Sequence, residues 1–146
     1  MLNSILAGFY ERDIRKFIGE IRLFQHENNL WKTEGSVKNS AGNLALHIIG
    51  GMNYLFGAVL LQTGYVRQRD LEFTRKNIER DWLVNELEKL VPILRQALDK
   101  MDPQLETEYP IPFDGKPQPA AYVLTQLLAH LNYHLGQVNY LRRMLE

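Results

Sequence analysis

The 146-residue chain carries 17 Lys+Arg against 17 Asp+Glu, so no global field draws it to nucleic acid or to an acidic membrane surface. Apolar residues make up 45% and charged residues 23%, ordinary values for a globular protein, and the length suits a single domain, 1–146, with a real core. Cysteine is absent, which excludes disulfides, zinc–thiolate sites and a cysteine nucleophile.

The N-terminal stretch MLNSILAGFYERDIRKF lacks a basic start and meets charges by Glu11, so it does not read as a signal peptide. Residues 2 to about 27 carry Leu2, Ile5, Leu6, Phe9, Tyr10, Phe17, Ile21 and Phe24 at helical spacing, and Asp13 falls close to that stripe. ENNLWKTEGSVKNS reads as a connection whose last residue, Ser40, can cap the next helix. That helix, about 40 to 62, is apolar nearly all round and belongs at the centre of a bundle, with Gly64 as its stop. Its apolar stretch falls short of the ~20 residues of a membrane span, so a cytosolic protein with no membrane contact is expected. GYVRQRDLEFTRKNIER reads as a linker. Residues 80 to about 101 show a clean seam of Leu83, Leu87, Leu90, Leu94, Leu98 and Met101, with Pro92 expected to kink it mildly. The proline-rich stretch DPQLETEYPIPFDGKPQPA is a long crossover, and the last helix starts near Pro119. Four amphipathic helices with long connections predict an all-α four-helix bundle with crossover connections.

Within HLNYHLGQ, His130 and His134 lie four residues apart and so stack on one helix face, where two imidazoles can chelate one cation. On the second helix Asn43, His47, Gly50, Gly51 and Tyr54 line one narrow polar strip, and a buried polar strip should face polar partners. The economical arrangement sets His47 across from His130 and His134. Two readings of that arrangement stay open at this point. Three neutral imidazoles with a fourth position free make a catalytic metal site. Alternatively, the three histidines are hydrogen-bonded to Asn43, Gln137 and Tyr54 with no metal at all. Asn43, Tyr54, Tyr133 and Gln137 are close in helical phase to the histidines and are candidate assistants, and Asp13 is the one helical acid worth testing. His26, beside Glu27 and Asn28, reads as a surface residue.

NLALHIIGGMNYLFG followed by HLNYHLGQVNYLRR resembles the DinB-like superfamily of metal-dependent proteins, and RQRDLEF is similar to the linker of a bacterial subgroup of it. The resemblance covers essentially the whole chain. It implies an up-down-down-up four-helix bundle, a divalent metal, nickel or zinc, held by His47, His130 and His134, and frequent homodimers. Some members are thiol S-transferases that use low-molecular-weight thiols, and others are hydrolases. No motif in this chain selects between those chemistries. Lacking cysteine, the chain would draw any thiolate from a small-molecule cosubstrate.

Three rival classes are weighed against the metalloenzyme. A carboxylate-bridged di-iron bundle requires Glu-x-x-His pairs, which the chain lacks. A haem bundle requires axial ligands on opposite faces, whereas His130 and His134 share one. The remaining alternative is a non-catalytic bundle that binds a metal or a small ligand. Assembly is read from apolar excess: Leu46, Phe56 and Leu60 on the second helix and Phe17, Ile18 and Phe24 on the first are expected to stay partly exposed and to pair two copies.

Overall fold

The computed structural model describes residues 1–146. It is all-helical, with no strand and five helices: α1 (Leu2–Leu23), α2 (Ala41–Leu61), α3 (Arg69–Thr74), α4 (Arg80–Met101) and α5 (Ala120–Leu145). Short 3₁₀ turns follow α1 (Glu27–Trp31) and α4 (Asp102–Gln104).

Local chemistry explains most boundaries. The Ser40 hydroxyl accepts from the Asn43 N–H and closes the N-terminus of α2. Within α2 the ladder widens to π geometry over Asn53–Ala58, and the helix ends at Gln62, whose φ of 55° is left-handed. The left-handed stop is Gln62, two residues before the expected Gly64. Pro92 sits inside α4 without breaking it. The crossover after α4 is tied down by two isolated bridges, Glu108 with Pro119 and Phe113 with Lys116.

α1 packs on α4 and α5, and α2 packs on α3, α4 and α5. The apolar core is drawn from α1, α2, α4 and α5, with Phe24, Leu30, Leu105 and Tyr109 added from the connections. The Tyr10 hydroxyl donates to the Leu124 carbonyl and the Tyr109 hydroxyl to the Leu55 carbonyl, so both buried phenols are satisfied. Glu146 reaches back to the end of α1, its carboxylate accepting from the Gln25 and His26 backbone N–H groups and from Asn29.

Three expectations require correction. Phe17, Ile18, Phe24, Leu46, Phe56 and Leu60 do not form an exposed patch. All six are buried within one chain: α1 packs on α4 and α5, Phe56 meets the Tyr10 ring across the bundle, and α3 packs on α2. Secondly, Ala41–Leu61 is long and apolar enough to cross a membrane by length and composition, and 61% of its apolar window is buried in the fold, as the core helix of a globular protein also is. Thirdly, the linker between α2 and α4 holds a helix of its own, α3.

Candidate metal centre

α2 and α5 bring three imidazoles to one point. His47 Nε2 lies 3.0 Å from His130 Nε2, and His134 Nε2 lies 3.2 Å from the same atom. One nitrogen from each ring falls within 4.8 Å of the others. The rings meet edge to face, at interplanar angles of 77°, 87° and 84°, so each turns a nitrogen rather than a face toward the centre. His47 is buried, while His130 and His134 are half-buried at the lip.

The outward nitrogens decide which tautomers are present. His47 Nδ1 lies 3.0 Å from Glu72 Oε1, and His134 Nδ1 lies 2.6 Å from Gln137 Oε1. A carboxylate or an amide oxygen can only accept, so both Nδ1 atoms carry the proton and both Nε2 atoms present lone pairs inward; Arg67 Nη2 is more distant from His47 Nδ1, at 3.4 Å, and donates to Glu72 instead. Of the three converging nitrogens, only that of His130 is left to carry a proton, which would then be shared between the two lone pairs of His47 and His134. A cation matches them better. With metal–nitrogen bonds of ~2.0–2.1 Å, the two nitrogen pairs that include His130, 3.0 and 3.2 Å apart, would subtend ~91–106° at the ion, between octahedral and tetrahedral angles. The three histidines could therefore hold a metal ion.

Electrostatics favours the neutral form of His130 and His134. Burial first, and then the neighbouring His134, His47 and Arg67, pull His130 down to about 4. Burial likewise lowers His134, against the raising effect of the Gln137 hydrogen bond. Neutral imidazole is the form that binds metal.

Glu72 was not visible as a site residue from the sequence. It is buried, and Arg67 donates to it twice, from Nε to Oε2 at 2.8 Å and from Nη2 to Oε1 at 2.9 Å. Burial pushes its carboxyl up, but the hydrogen bonds from Arg67 and His47 outweigh that and leave it below the usual carboxylate range. Two clues were present: the adjacent glycines in the middle of α2 and the RQRDLEF segment that contains both residues.

The five candidate assistants separate. Gln137 touches His134, as above. Tyr133 packs its ring 5.5 Å from that of His134 but is largely exposed. Asn43 is fully buried and makes no contact with an imidazole. Its amide nitrogen donates to the Glu72 and Arg75 carbonyls at 2.9 Å each, and its oxygen accepts from Ser40 and Lys76. Asn43 therefore fixes α3, and through it Glu72. Tyr54 falls in the π-helical turn, where the wider ladder shifts the phase projected from His47, and it makes no hydrogen bond to the histidines. Asp13 is fully buried and binds Arg12 Nε at 2.8 Å and Asn132 Nδ2 at 3.1 Å. Asn132 points away from the α5 face that carries His130 and His134, so Asp13 serves the α1–α5 contact instead of the site. His26 is exposed.

A cleft of about 250 Å³ opens against His47 and His130, lined on its polar side by Arg67, Arg69, Asp114 and Gln126 and on its apolar side by Met52, Leu55, Phe113 and Leu127. A second cleft of about 280 Å³ lies against His134 and Gln137, among Val37, Leu44, Tyr140, Leu141 and Met144.

The chain belongs to the family described as Protein of unknown function (DUF1572), which it matches over residues 10–146. No curated protein and no solved structure matches it.

Proposed function

We propose that the protein is a divalent-metal-dependent enzyme of the DinB-like type, with His47, His130 and His134 as ligands to nickel or zinc. The observation that carries this reading is the convergence of three Nε2 atoms whose rings are held, at His47 and His134, by acceptors on Nδ1. A bound ion would supply Lewis acidity and lower the pKa of a water or a thiol in its open position toward neutrality. The chain's own residues do the rest. Gln137 orients His134, and depressed basicity keeps His130 available as a ligand. The cleft beside His47 and His130 receives a small substrate, its apolar wall packing the body and Arg69, Asp114 or Gln126 fixing the polar end. With no cysteine in the chain, an S-transferase would take its thiolate from a low-molecular-weight thiol, whereas a hydrolase would use water.

The finer architecture belongs to the same proposal: one domain, folded as an up-down-down-up bundle of α1, α2, α4 and α5. Contacts advance together along α1 and α5, from Tyr10–Leu124 through Asp13–Asn132 to Glu20–Asn139, which supports a parallel pair. They run oppositely along α1 and α4, from Glu11–Arg95 to Arg22–Glu88, which supports an antiparallel pair. A homodimer is proposed on the resemblance, now through the exposed Leu2, Ile5 and Phe9 strip of α1.

The test is metal analysis of protein purified without a polyhistidine tag, followed by screens of the loaded protein with small thiols and with hydrolysable esters and amides. Stoichiometric nickel or zinc with turnover supports the reading. A parent protein that takes up no divalent metal refutes it. Stoichiometric metal without turnover in either screen favours the alternative, a non-catalytic metal-binding bundle.

A further inference from the structure

We infer that Glu72, backed by Arg67, is the positioning residue of the metal centre: its carboxylate fixes the His47 proton on Nδ1 and aims Nε2 at the ion. The inference rests on the metal reading above and adds to it a residue that no histidine pattern contains.

Four independent features of the fold converge on this carboxylate. It is buried, and one oxygen lies 3.0 Å from His47 Nδ1 while both oxygens accept from Arg67. Both oxygens are engaged with protein partners, which suits a positioning role and not a fourth ligand. The backbone that carries it is anchored by Asn43, through the Glu72 and Arg75 carbonyls. Finally, α2 has been cut away to admit it. A Cβ on Gly50 would stand 2.0 Å from Glu72 Oε2, whereas one on Gly51 would make only an ordinary contact, 3.4 Å from Arg67 Nη2. A glycine weakens a helix interior, so Gly50 opposite this carboxylate marks room made for it. A carboxylate on the outer nitrogen of a metal-bound histidine raises ligand basicity and locks the ring, and removing such a partner typically weakens metal binding ~10–100-fold.

Gly50→Ala separates this role from a general contribution to stability. It deletes no polar group and improves helix propensity, yet its methyl displaces the carboxylate from His47. The experiment measures cobalt(II) affinity by competition with a chromophoric chelator for the parent, Glu72→Gln, Gly50→Ala and the double variant, with ¹⁵N shifts of the His47 ring recorded in the metal-free proteins. The expected result is a ~10–100-fold loss in each single variant. The double variant should lose little more than either, and the His47 ring should change from one tautomer to a mixture in Gly50→Ala, whereas Glu72→Gln keeps an amide oxygen that can still accept from Nδ1 and loses affinity through the missing charge. A parent that binds no cobalt overturns the metal reading, and this inference with it. A parent that binds, with Gly50→Ala and Glu72→Gln matching its affinity and Gly50→Ala keeping the single His47 tautomer, overturns the role of Glu72 alone. Should Glu72→Gln fail to fold, Gly50→Ala decides the matter by itself.

Discussion

Replacing His134 by alanine should abolish the response of the melting temperature to metal while leaving the helices in place. The substitution removes one of three convergent nitrogens and strands only one partner, Gln137 Oε1, which sits at a half-buried lip where water can replace the lost donor. The cost to the metal-free protein is therefore about that of one ordinary hydrogen bond, ~1 kcal/mol, or a few degrees. Metal acts on a larger scale. An ion that binds only the folded state stabilises it by ~2.7 kcal/mol at a hundredfold excess over Kd, and each further tenfold adds ~1.4 kcal/mol. At ~2–4 °C per kcal/mol for a chain of this size, the parent should climb ~3–6 °C per decade of free metal above Kd. The variant should stay flat over the same range, because only His47 and His130 remain to hold the ion, two nitrogens in place of three. Calorimetric or dye-based melting across a metal-buffered series of zinc or nickel reads both slopes, and circular dichroism checks the helices. A variant that keeps the parent's slope would show that His134 is not a ligand.

Asn43→Ala should destabilise the metal-free protein by ~2–4 kcal/mol, because two backbone carbonyls on α3 lose their donors in a buried setting; urea unfolding measures it, and a loss below ~1 kcal/mol would contradict the anchoring role. Acid should destabilise the metal-free parent in a defined window. His130 has a folded pKa of about 4 against 6.5 for a free histidine, so between those values the unfolded chain binds more protons and stability falls as pH drops. His134 acts in the same direction. Urea midpoints for the parent and for His130→Ala should converge as pH falls through that window, and a pH-independent difference would refute the assignment. Light scattering across a tenfold dilution at micromolar concentration should give twice the 17.0 kDa of one chain, and a mass of one chain throughout would refute the dimer.

The helices and two-thirds of the triad were legible in the sequence because they depend on neighbours in the chain. Periodicity alone places α4 at its observed bounds, the Ser40 hydroxyl caps α2 from three residues away, and the four-residue spacing of His130 and His134 fixes them on one face whatever surrounds them. His47 was placed by a weaker argument, that a polar strip on an apolar helix needs partners. Where the helix kept α geometry that argument served; across the π-helical turn at Tyr54 it did not. The rest belongs to contacts between residues distant in the chain. α3 has six residues, too few to hold a helix without tertiary support, so no local signal separates it from a loop. It exists because Asn43, 29 positions before Glu72, holds its carbonyls and because Gly50 leaves space for its carboxylate. Asp13 likewise reads as an edge acid until α5 brings Asn132 to it from 119 positions away. Burial of Phe56 or Leu46 is no more local, since an amphipathic pattern states which face is apolar but not how many elements arrive to cover it.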